Sequence, residues 1–137
     1  MHRSINLSTD DPNSLLPNID NTNINNINEI VNFSVDTINC QILEYVVPQH
    51  LDQVLNAIFS KIRKEGILTL KFKNFKEITQ QYSSDRRSDA EYLQYIHNTQ
   101  SVISVDKIAS SLDPTLSIVN IEYSNYEILM VIQRVDN

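Results

Sequence analysis

The sequence has 137 residues, of which 41% are hydrophobic and 20% are charged, and these values are typical of a single globular domain. It contains no apolar run near the roughly 20 residues that cross a bilayer, and its start lacks the apolar region of a signal peptide, so we expect no membrane partner. The formal net charge of -6 argues against a general nucleic-acid binder, because phosphate neutralisation needs clustered Lys and Arg.

The rarest residue types restrict the chemistry further. Cys40 is the only cysteine, which excludes an intrachain disulfide or a cysteine zinc site and favours a reducing, cytoplasmic compartment. His2, His50 and His97 are scattered along the chain, so no metal site is expected. Gly66 is the only glycine, and turns with positive φ must therefore use Asn or Asp. No phosphate loop or Ser-His-Asp order is present, so the sequence assigns no catalytic residue.

The N-terminal third is rich in Asn and Ile, a composition also typical of AT-rich genomes, including many viral ones. Residues 4–7 are predicted to form a first strand, and residues 8–14 a polar turn. A second short strand is predicted over residues 15–20, ending at Asp20. Residues 21–28 alternate Asn with Ile or Thr, a pattern that fits an edge strand or a loop.

The middle of the chain predicts a strand, a helix and a second strand. Residues 35–45 are rich in β-branched residues, and a helix is expected after Pro48 and up to Gly66 as its C-terminal cap. Apolar side chains at spacings of three and four form one face of that helix, namely Leu51, Val54, Leu55, Ile58, Phe59 and Ile62. Residues 67–72 follow as a central strand, which should lie parallel to the first strand of this unit.

The C-terminal part is predicted to contain two helices and a hairpin. Ser88 and Glu91 form a capping box for a helix that ends near residue 99, and a shorter helix follows Ser104. Residues 116–123 and 126–135 are rich in β-forming types and are separated by a predicted turn at Ser124 and Asn125, as in a hairpin. The element order predicts an α/β fold, in which a mostly parallel, twisted sheet has minimal helices and ends in an antiparallel hairpin.

Five short stretches resemble a known family. Residues 33–38, followed by residues 43–46, are similar to the family pattern NSVD-x-I and LEH, and residues 61–68 are similar to RVLKPGG-x-L. Residues 5–8 stand where the family has LNLGCG, and residues 18–20 stand where it has NID. In this ordered combination the chain resembles the class I S-adenosylmethionine-dependent methyltransferases over nearly its whole length. The resemblance implies a Rossmann-like methyltransferase domain over residues 1–137, with S-adenosylmethionine as cofactor if the chain is active.

The resemblance also implies which residues would contact the cofactor. In this family the turn after the first strand and the acidic group after the second strand hold the ligand, and the segment before the central helix lies close by. Carried onto this sequence, the implied cofactor-binding residues are Asn6, Ser8, Asp10, Asp20, Glu44 and Tyr45. Simpler interpretations of two of these residues stay open. Asp20 is also compatible with a place in a surface loop, and Tyr45 is also compatible with packing against the helix.

The sequence departs from the family where the cofactor should bind. The family's glycine-rich turn is replaced by residues 8–11, every one of which carries a side chain. Asp10 and Asp11 suit the ammonium of the methionine moiety but would repel its carboxylate, and the connection over residues 20–32 is too short for the unit that contacts adenine.

Two hypotheses about function follow from these departures. The favoured one is a degenerate domain that has lost or weakened cofactor binding and acts as an assembly or regulatory module, with a protein partner or a second copy. The alternative is an active methyltransferase on an unknown acceptor. The basic residues between Lys61 and Arg87 fit a solvated helix end and strand edge best, and a partner-binding face is the alternative.

Overall fold

The computed structural model of the protein describes residues 2–85 and 99–135. A sheet of six strands has the order β2-β1-β3-β4-β6-β5. Its strands are β1 (Ser4–Ser8), β2 (Asp20–Asn23), β3 (Val35–Cys40), β4 (Ile62–Lys73), β5 (Leu116–Ser124) and β6 (Glu127–Arg134). The first four strands pair in parallel, whereas β6 is antiparallel to both β4 and β5. The predicted α/β fold, mostly parallel with a C-terminal hairpin, is confirmed.

Three α-helices lie in the described part of the chain: α1 (Leu51–Lys61), α2 (Phe75–Asp85) and α3 (Val105–Ser111). Helices α1 and α3 confirm the predictions made from apolar spacing, except that Ile62, predicted on the face of the first helix, is the first residue of β4. Ser104 caps α3 by accepting a hydrogen bond from the amide of Lys107 at 3.1 Å. The helix predicted to begin at Ser88 falls outside the described residues. No helix formed by the described residues has the length and apolar character needed to cross a membrane.

One face of the sheet supplies the apolar core. Because residues paired across neighbouring strands point to the same face, the register aligns Leu7, Cys40, Leu70 and Met130 in one row across four strands. All four side chains are fully buried. Helix α1 adds Leu55, Ile58 and Phe59 to the same cluster of core residues, as the predicted apolar helix face requires.

The opposite face of the sheet carries a row of amides. Asn21, Asn6 and Asn39 are aligned across β2, β1 and β3. The side-chain amide of Asn6 donates to Oδ1 of Asn21 at 2.8 Å, and Asn39 donates to Oδ1 of Asn6 at 2.7 Å. The three residues therefore form an asparagine ladder that crosses three parallel strands. Asparagine has a structural role here, because its amide both donates and accepts along the ladder.

The prediction of a second strand over residues 15–20 is wrong, because β2 begins where that strand was expected to end. Leu16 is 37% exposed, and its backbone N–H and C=O both bind the side chain of Asn21, at 3.0 and 2.9 Å. Asn18 has a φ of 61°, which ends any extended run there. The side chain of Asn21 thus closes a turn in front of β2, and Asp20 becomes the first residue of the strand.

The predicted role of Gly66 as a helix cap is also wrong. Helix α1 ends at Lys61, and Gly66 lies inside β4 beside Glu65, whose φ is 67°. A Cβ on Gly66 would lie 2.9 Å from the carbonyl oxygen of Arg63 and 3.0 Å from that of Asp36. The glycine is therefore needed for a close backbone approach at an irregularity between β3 and β4, and not for its φ.

Turns with positive φ use Asn less consistently than predicted. Among the described residues, the ones with positive φ are Asn18, Phe33, Glu65, Asn125 and Tyr126. Asn125 and Tyr126 connect β5 to β6, so the predicted hairpin is confirmed, with its turn one residue later than the sequence indicated. Phe33 and Glu65 tolerate this conformation poorly, and distant residues bind both of them: the amide of Phe33 donates to the carbonyl of Ser60 at 2.9 Å, and Gln133 donates to the carbonyl of Glu65 at 3.3 Å.

Candidate functional site

A cleft opens at the point where the connections of the sheet change direction. From β1 the chain crosses to β2 on one side, and β3 pairs with β1 on the other, so the carboxyl ends of β1 and β3 border the usual ligand crevice of an open parallel sheet. The cleft has a volume of about 170 Å³. It is lined by Asn6, Thr9, Asp11, Asn13, Ser14, Leu16, Gln41, Ile42 and Tyr45.

The loop after β1 is closed by its own hydrogen bonds. Asp11 caps a short 3₁₀ turn over Pro12–Ser14, and its Oδ1 accepts from the amide of Asn13 at 2.9 Å. The hydroxyl of Ser14 accepts from the amide of Thr9 at 2.9 Å and donates to the carbonyl of Asp11 at 2.6 Å. The amide of Asp11 in turn donates to Oγ1 of Thr9 at 3.2 Å. These backbone donors point into the loop and are already satisfied.

Asn6 forms the floor of the cleft but has no free polar atom. Its amide group donates to the carbonyl of Ser14 at 2.9 Å and to Asn21, and its oxygen accepts from Asn39. The residue is only 1% exposed. An Asn side chain has two donor hydrogens, and both are used within the protein. Asn6 therefore positions the loop and the ladder, although the resemblance implied a direct cofactor contact.

Ser8 and Asp10 lie at the end of β1, on the side that faces β2. Ser8 is buried and pairs with Asn23, and Oδ1 of Asp10 accepts from the side-chain amide of Asn23 at 2.9 Å. Asn23 ends β2, so it occupies the position at the carboxyl edge that the sequence assigned to Asp20. Asp20 begins β2 and pairs with Ile5, at the opposite edge of the sheet. The structure therefore does not bring Asp20 to the cleft.

Glu44 connects three segments of the chain near the carboxyl ends of the parallel strands. Its side chain is 4% exposed, and Oε2 accepts from the amide of Lys73 at 3.0 Å, at the end of β4. Its carbonyl accepts from the amides of Gln100 and Ser101, at 2.7 and 3.0 Å. Burial raises the pKa of the Glu44 carboxyl, and the hydrogen bond and charge of Lys73 oppose that rise. Glu44 is thus a buried connecting residue and does not line the cleft.

Tyr45 is the predicted site residue that faces the cleft most openly. Its side chain is 41% exposed, and Nζ of Lys73 lies 5.9 Å from the centre of its ring, within reach of a cation–π contact. Partial burial raises the pKa of Tyr45, and the negative charges of Glu44 and Asp11 add to that rise. The ring therefore lies within the electrostatic field of two carboxylates and of the Lys73 ammonium.

Replacing Glu44 with glutamine is expected to remove a pH dependence of stability. The folded-state pKa of Glu44 lies above its unfolded value of 4.5, so its contribution is fully present below that pH and is lost as the pH rises through the folded-state pKa. Glutamine keeps an oxygen for Lys73 and does not titrate. The stability of E44Q relative to the wild type should therefore rise from about pH 4 to about pH 7 in urea unfolding.

The exposed Glu29 supplies the matched control for this experiment. The difference in stability between E29Q and the wild type should change less with pH than the difference between E44Q and the wild type. A constant difference between E44Q and the wild type across the pH range would contradict the proposed state of the buried carboxyl.

Sequence reasoning missed most of the residues that line the cleft. Asp11 followed by Pro12 is a recognisable start of a short helical turn, with a capping carboxylate and proline at the first helical position. This signal could have placed the turn and the hydroxyl of Ser14. Gln41 and Ile42 gave no such signal, because they follow β3 in a segment that the sequence joined to the strand.

The cleft is negatively charged. Asp11 is the only charged residue among the described residues that line it. No group of three or more His, Cys, Asp or Glu side chains that could hold a metal ion occurs in the described ranges. The arrangement offers one carboxylate, amide and hydroxyl groups, one aromatic ring, and the apolar side chains of Leu16 and Ile42.

Solved methyltransferase structures superpose on nearly the whole chain. The S-adenosylmethionine-dependent methyltransferase from Archaeoglobus fulgidus has a TM-score of 0.63 and 8% identity, covering 96% of this chain and 85% of its own. The O-methyltransferase family protein from Burkholderia thailandensis has a TM-score of 0.67 and 15% identity, covering 97% of this chain and 51% of its own. The N-methyltransferase NodS from Bradyrhizobium japonicum, in complex with S-adenosyl-L-homocysteine, has a TM-score of 0.60 and 10% identity, covering 98% and 79%.

The likeness is structural. No protein-family model matches the sequence, and no curated protein matches it significantly. The identities with the solved structures are between 8% and 15%, so the similarity establishes the fold alone. By its strand order, its parallel pairing and these superpositions, the chain has the Rossmann-like fold of the S-adenosylmethionine-dependent methyltransferases.

Proposed function

We propose that this chain is a methyltransferase-fold domain that has lost or weakened S-adenosylmethionine binding and acts as an assembly or regulatory module. The observation that carries the proposal is the closed loop after β1. The amides of Thr9, Asp11 and Asn13 bind partners within the loop, at 2.9 to 3.2 Å. In the family that this chain resembles, a glycine-rich turn at this position leaves room for the methionine moiety.

The chemistry of the cleft fits only part of S-adenosylmethionine. The ammonium and sulfonium groups are compatible with Asp11, but the carboxylate would meet that same negative charge and no cation among the described lining residues. The cleft volume of about 170 Å³ lies below the roughly 300–1,000 Å³ of ordinary cofactor sites. The described residues therefore do not form a complete site for the cofactor.

The side of the sheet that would contact adenine also consists of short elements. Strand β2 is an edge strand of four residues, and only a 3₁₀ turn over Ile24–Glu29 lies between it and β3. No described strand lies beyond β2 to extend the crevice. This agrees with the short connection noted in the sequence, and it removes one wall of a nucleoside pocket.

A fold kept without a complete cofactor site has to act through its surface, which is why we assign the domain an assembly or regulatory role. The partner in this proposal is a protein or a second copy of the chain. We place the domain inside the cell, where Cys40, buried and unpaired, stays reduced. The second candidate, an active methyltransferase, is favoured by the position of the cleft at the carboxyl ends of β1 and β3.

Calorimetry and thermal unfolding with S-adenosylmethionine and S-adenosylhomocysteine test the proposal. A ligand that binds only the folded state must raise its stability, by about 2.7 kcal/mol when present at 100 times its dissociation constant. We expect no measurable heat and no rise in Tm at millimolar ligand. An active methyltransferase examined in parallel is the positive control. Micromolar binding of either ligand would show that the site is functional and would overturn the proposal.

A further inference from the structure

We propose that the cleft beside Asp11 binds a small organic cation, an alkylammonium ligand that carries no acidic group. This inference goes beyond the proposed function, because such a ligand could bind whether or not the domain assembles with a partner. The cleft retains the carboxylate that suits an ammonium group, although the loop beside it has lost the free donors that a carboxylate or phosphate needs.

The charge of the cleft is the first observation behind this inference. Oδ1 of Asp11 is used to cap the 3₁₀ turn, at 2.9 Å from the amide of Asn13. Its other oxygen, Oδ2, has no hydrogen-bond partner among the described residues and remains available. No Lys or Arg is found among the described residues that line the cleft, so the carboxylate is not neutralised there.

The aromatic wall is the second observation. The ring of Tyr45 lines the cleft and is 41% exposed, so a ligand can reach it. An aromatic ring attracts a cation to its face. Nζ of Lys73 lies 5.9 Å from the centre of this ring but Lys73 does not line the cleft, so the ligand approaches the ring from the side of the cleft. The negative charge of Asp11 contributes to the raised pKa of Tyr45, so the carboxylate interacts electrostatically with the residue that supplies the ring.

The remaining lining residues define the shape of the ligand. Leu16 and Ile42 offer apolar surface for methyl or methylene groups, and Gln41 and Asn13 offer amides for a hydroxyl. The volume of about 170 Å³ suits a short molecule and is too small for a nucleotide cofactor. An anion is disfavoured by the charge of Asp11, and the backbone amides of Thr9, Asp11 and Asn13 are already bound within the loop.

Choline and its uncharged isostere 3,3-dimethyl-1-butanol separate charge recognition from shape. We expect choline to bind at millimolar concentration and to perturb the amide resonances of residues 9–16 and 41–45. The neutral isostere should bind about tenfold more weakly, since it lacks both the ion pair and the cation–π contact. Added salt should weaken the binding of choline but not that of the isostere.

Substitution of Asp11 by asparagine tests the assigned carboxylate. Asparagine retains the capping oxygen for Asn13, so D11N is expected to fold, and only the charge is removed. The roughly tenfold preference for choline should then disappear. The exposed Asp106 in the first turn of α3 gives a charge-matched control, and D106N should keep the preference.

Three outcomes would overturn the inference. They are equal affinity of the wild type for choline and the isostere, no resonance change near the cleft at saturating choline, and equal loss of preference in D106N and D11N. The comparison of the two probes on the wild-type chain decides the question even if D11N fails to fold. Binding of S-adenosylmethionine would contradict the proposed function, whereas these probes contain no adenosyl group and test the cleft on its own.

Discussion

Replacing Arg134 with methionine is expected to lower the free energy of unfolding by about 3–5 kcal/mol. Arg134 is 2% exposed, and its guanidinium joins the end of α1 to the start of β4. Nε donates to the carbonyl of Ile62 at 2.8 Å, and one terminal nitrogen donates to the carbonyl of Phe59 at 2.6 Å. Methionine would remove the Arg134 donors from both carbonyls, and the carbonyl of Phe59 would keep only its bond from the amide of Ile62 at the end of α1.

Other contacts show why this position needs arginine. The other terminal nitrogen donates to Oγ1 of Thr115, and the ring of Phe33 lies 4.9 Å from the guanidinium carbon. A planar group with five donor hydrogens serves these partners together, whereas the single ammonium of lysine cannot. We therefore expect R134K to recover less than half of the stability that R134M loses.

Urea unfolding followed by far-ultraviolet circular dichroism measures this effect. The control is R63M, because Arg63 has a 48% exposed side chain and forms a partly exposed ion pair with Asp36 at 3.0 Å. Exposed pairs contribute less than about 1 kcal/mol. If R134M and R63M lost equal stability, the guanidinium would not have the structural role assigned to it.

Replacing Asn6 with leucine is expected to lower the free energy of unfolding by about 2–3 kcal/mol. Leucine fills a similar volume but makes none of the three hydrogen bonds that Asn6 forms with Ser14, Asn21 and Asn39. The carbonyl of Ser14 loses the donor that fixes the loop after β1. The same substitution should therefore increase hydrogen exchange in residues 9–16 more than in α1.

A double-mutant cycle separates the ladder from ordinary burial. N39L removes one ladder bond from a partly buried residue, so we expect it to cost about 1 kcal/mol. In the double variant N6L and N39L the costs should not add, because both substitutions remove the same bond, and a coupling of about 1 kcal/mol is expected. Additive costs would show that the bond between the two amides contributes nothing.

Local sequence patterns were sufficient for several elements. The three- and four-residue spacing of apolar side chains predicted α1, whose face is buried in the core. Ser104 predicted the start of α3, and two β-rich runs predicted the β5–β6 hairpin. These signals act over a few residues, so they do not depend on where the rest of the chain lies.

Side-chain bonds between distant residues decided the candidate site. Asn21 closes the turn that moves the start of β2 to Asp20, which places that carboxylate at the far edge of the sheet. The hydroxyl of Ser14 accepts from the amide of Thr9 and so folds the loop after β1 back onto itself. Glu44 was expected near the ligand, but its bond to Lys73 draws it beneath the cleft.

The sequence by itself determined the fold class, because periodicity, capping residues and element order are properties of neighbouring residues. It also determined the negative charge of the loop after β1, since Asp10 and Asp11 are adjacent in the chain. Only the tertiary structure decided which polar groups remain available to a ligand. Whether a polar group is available depends on hydrogen-bond partners that are distant in sequence. Asn39, for example, binds Asn6 from 33 positions away, and no local sequence pattern predicts that bond.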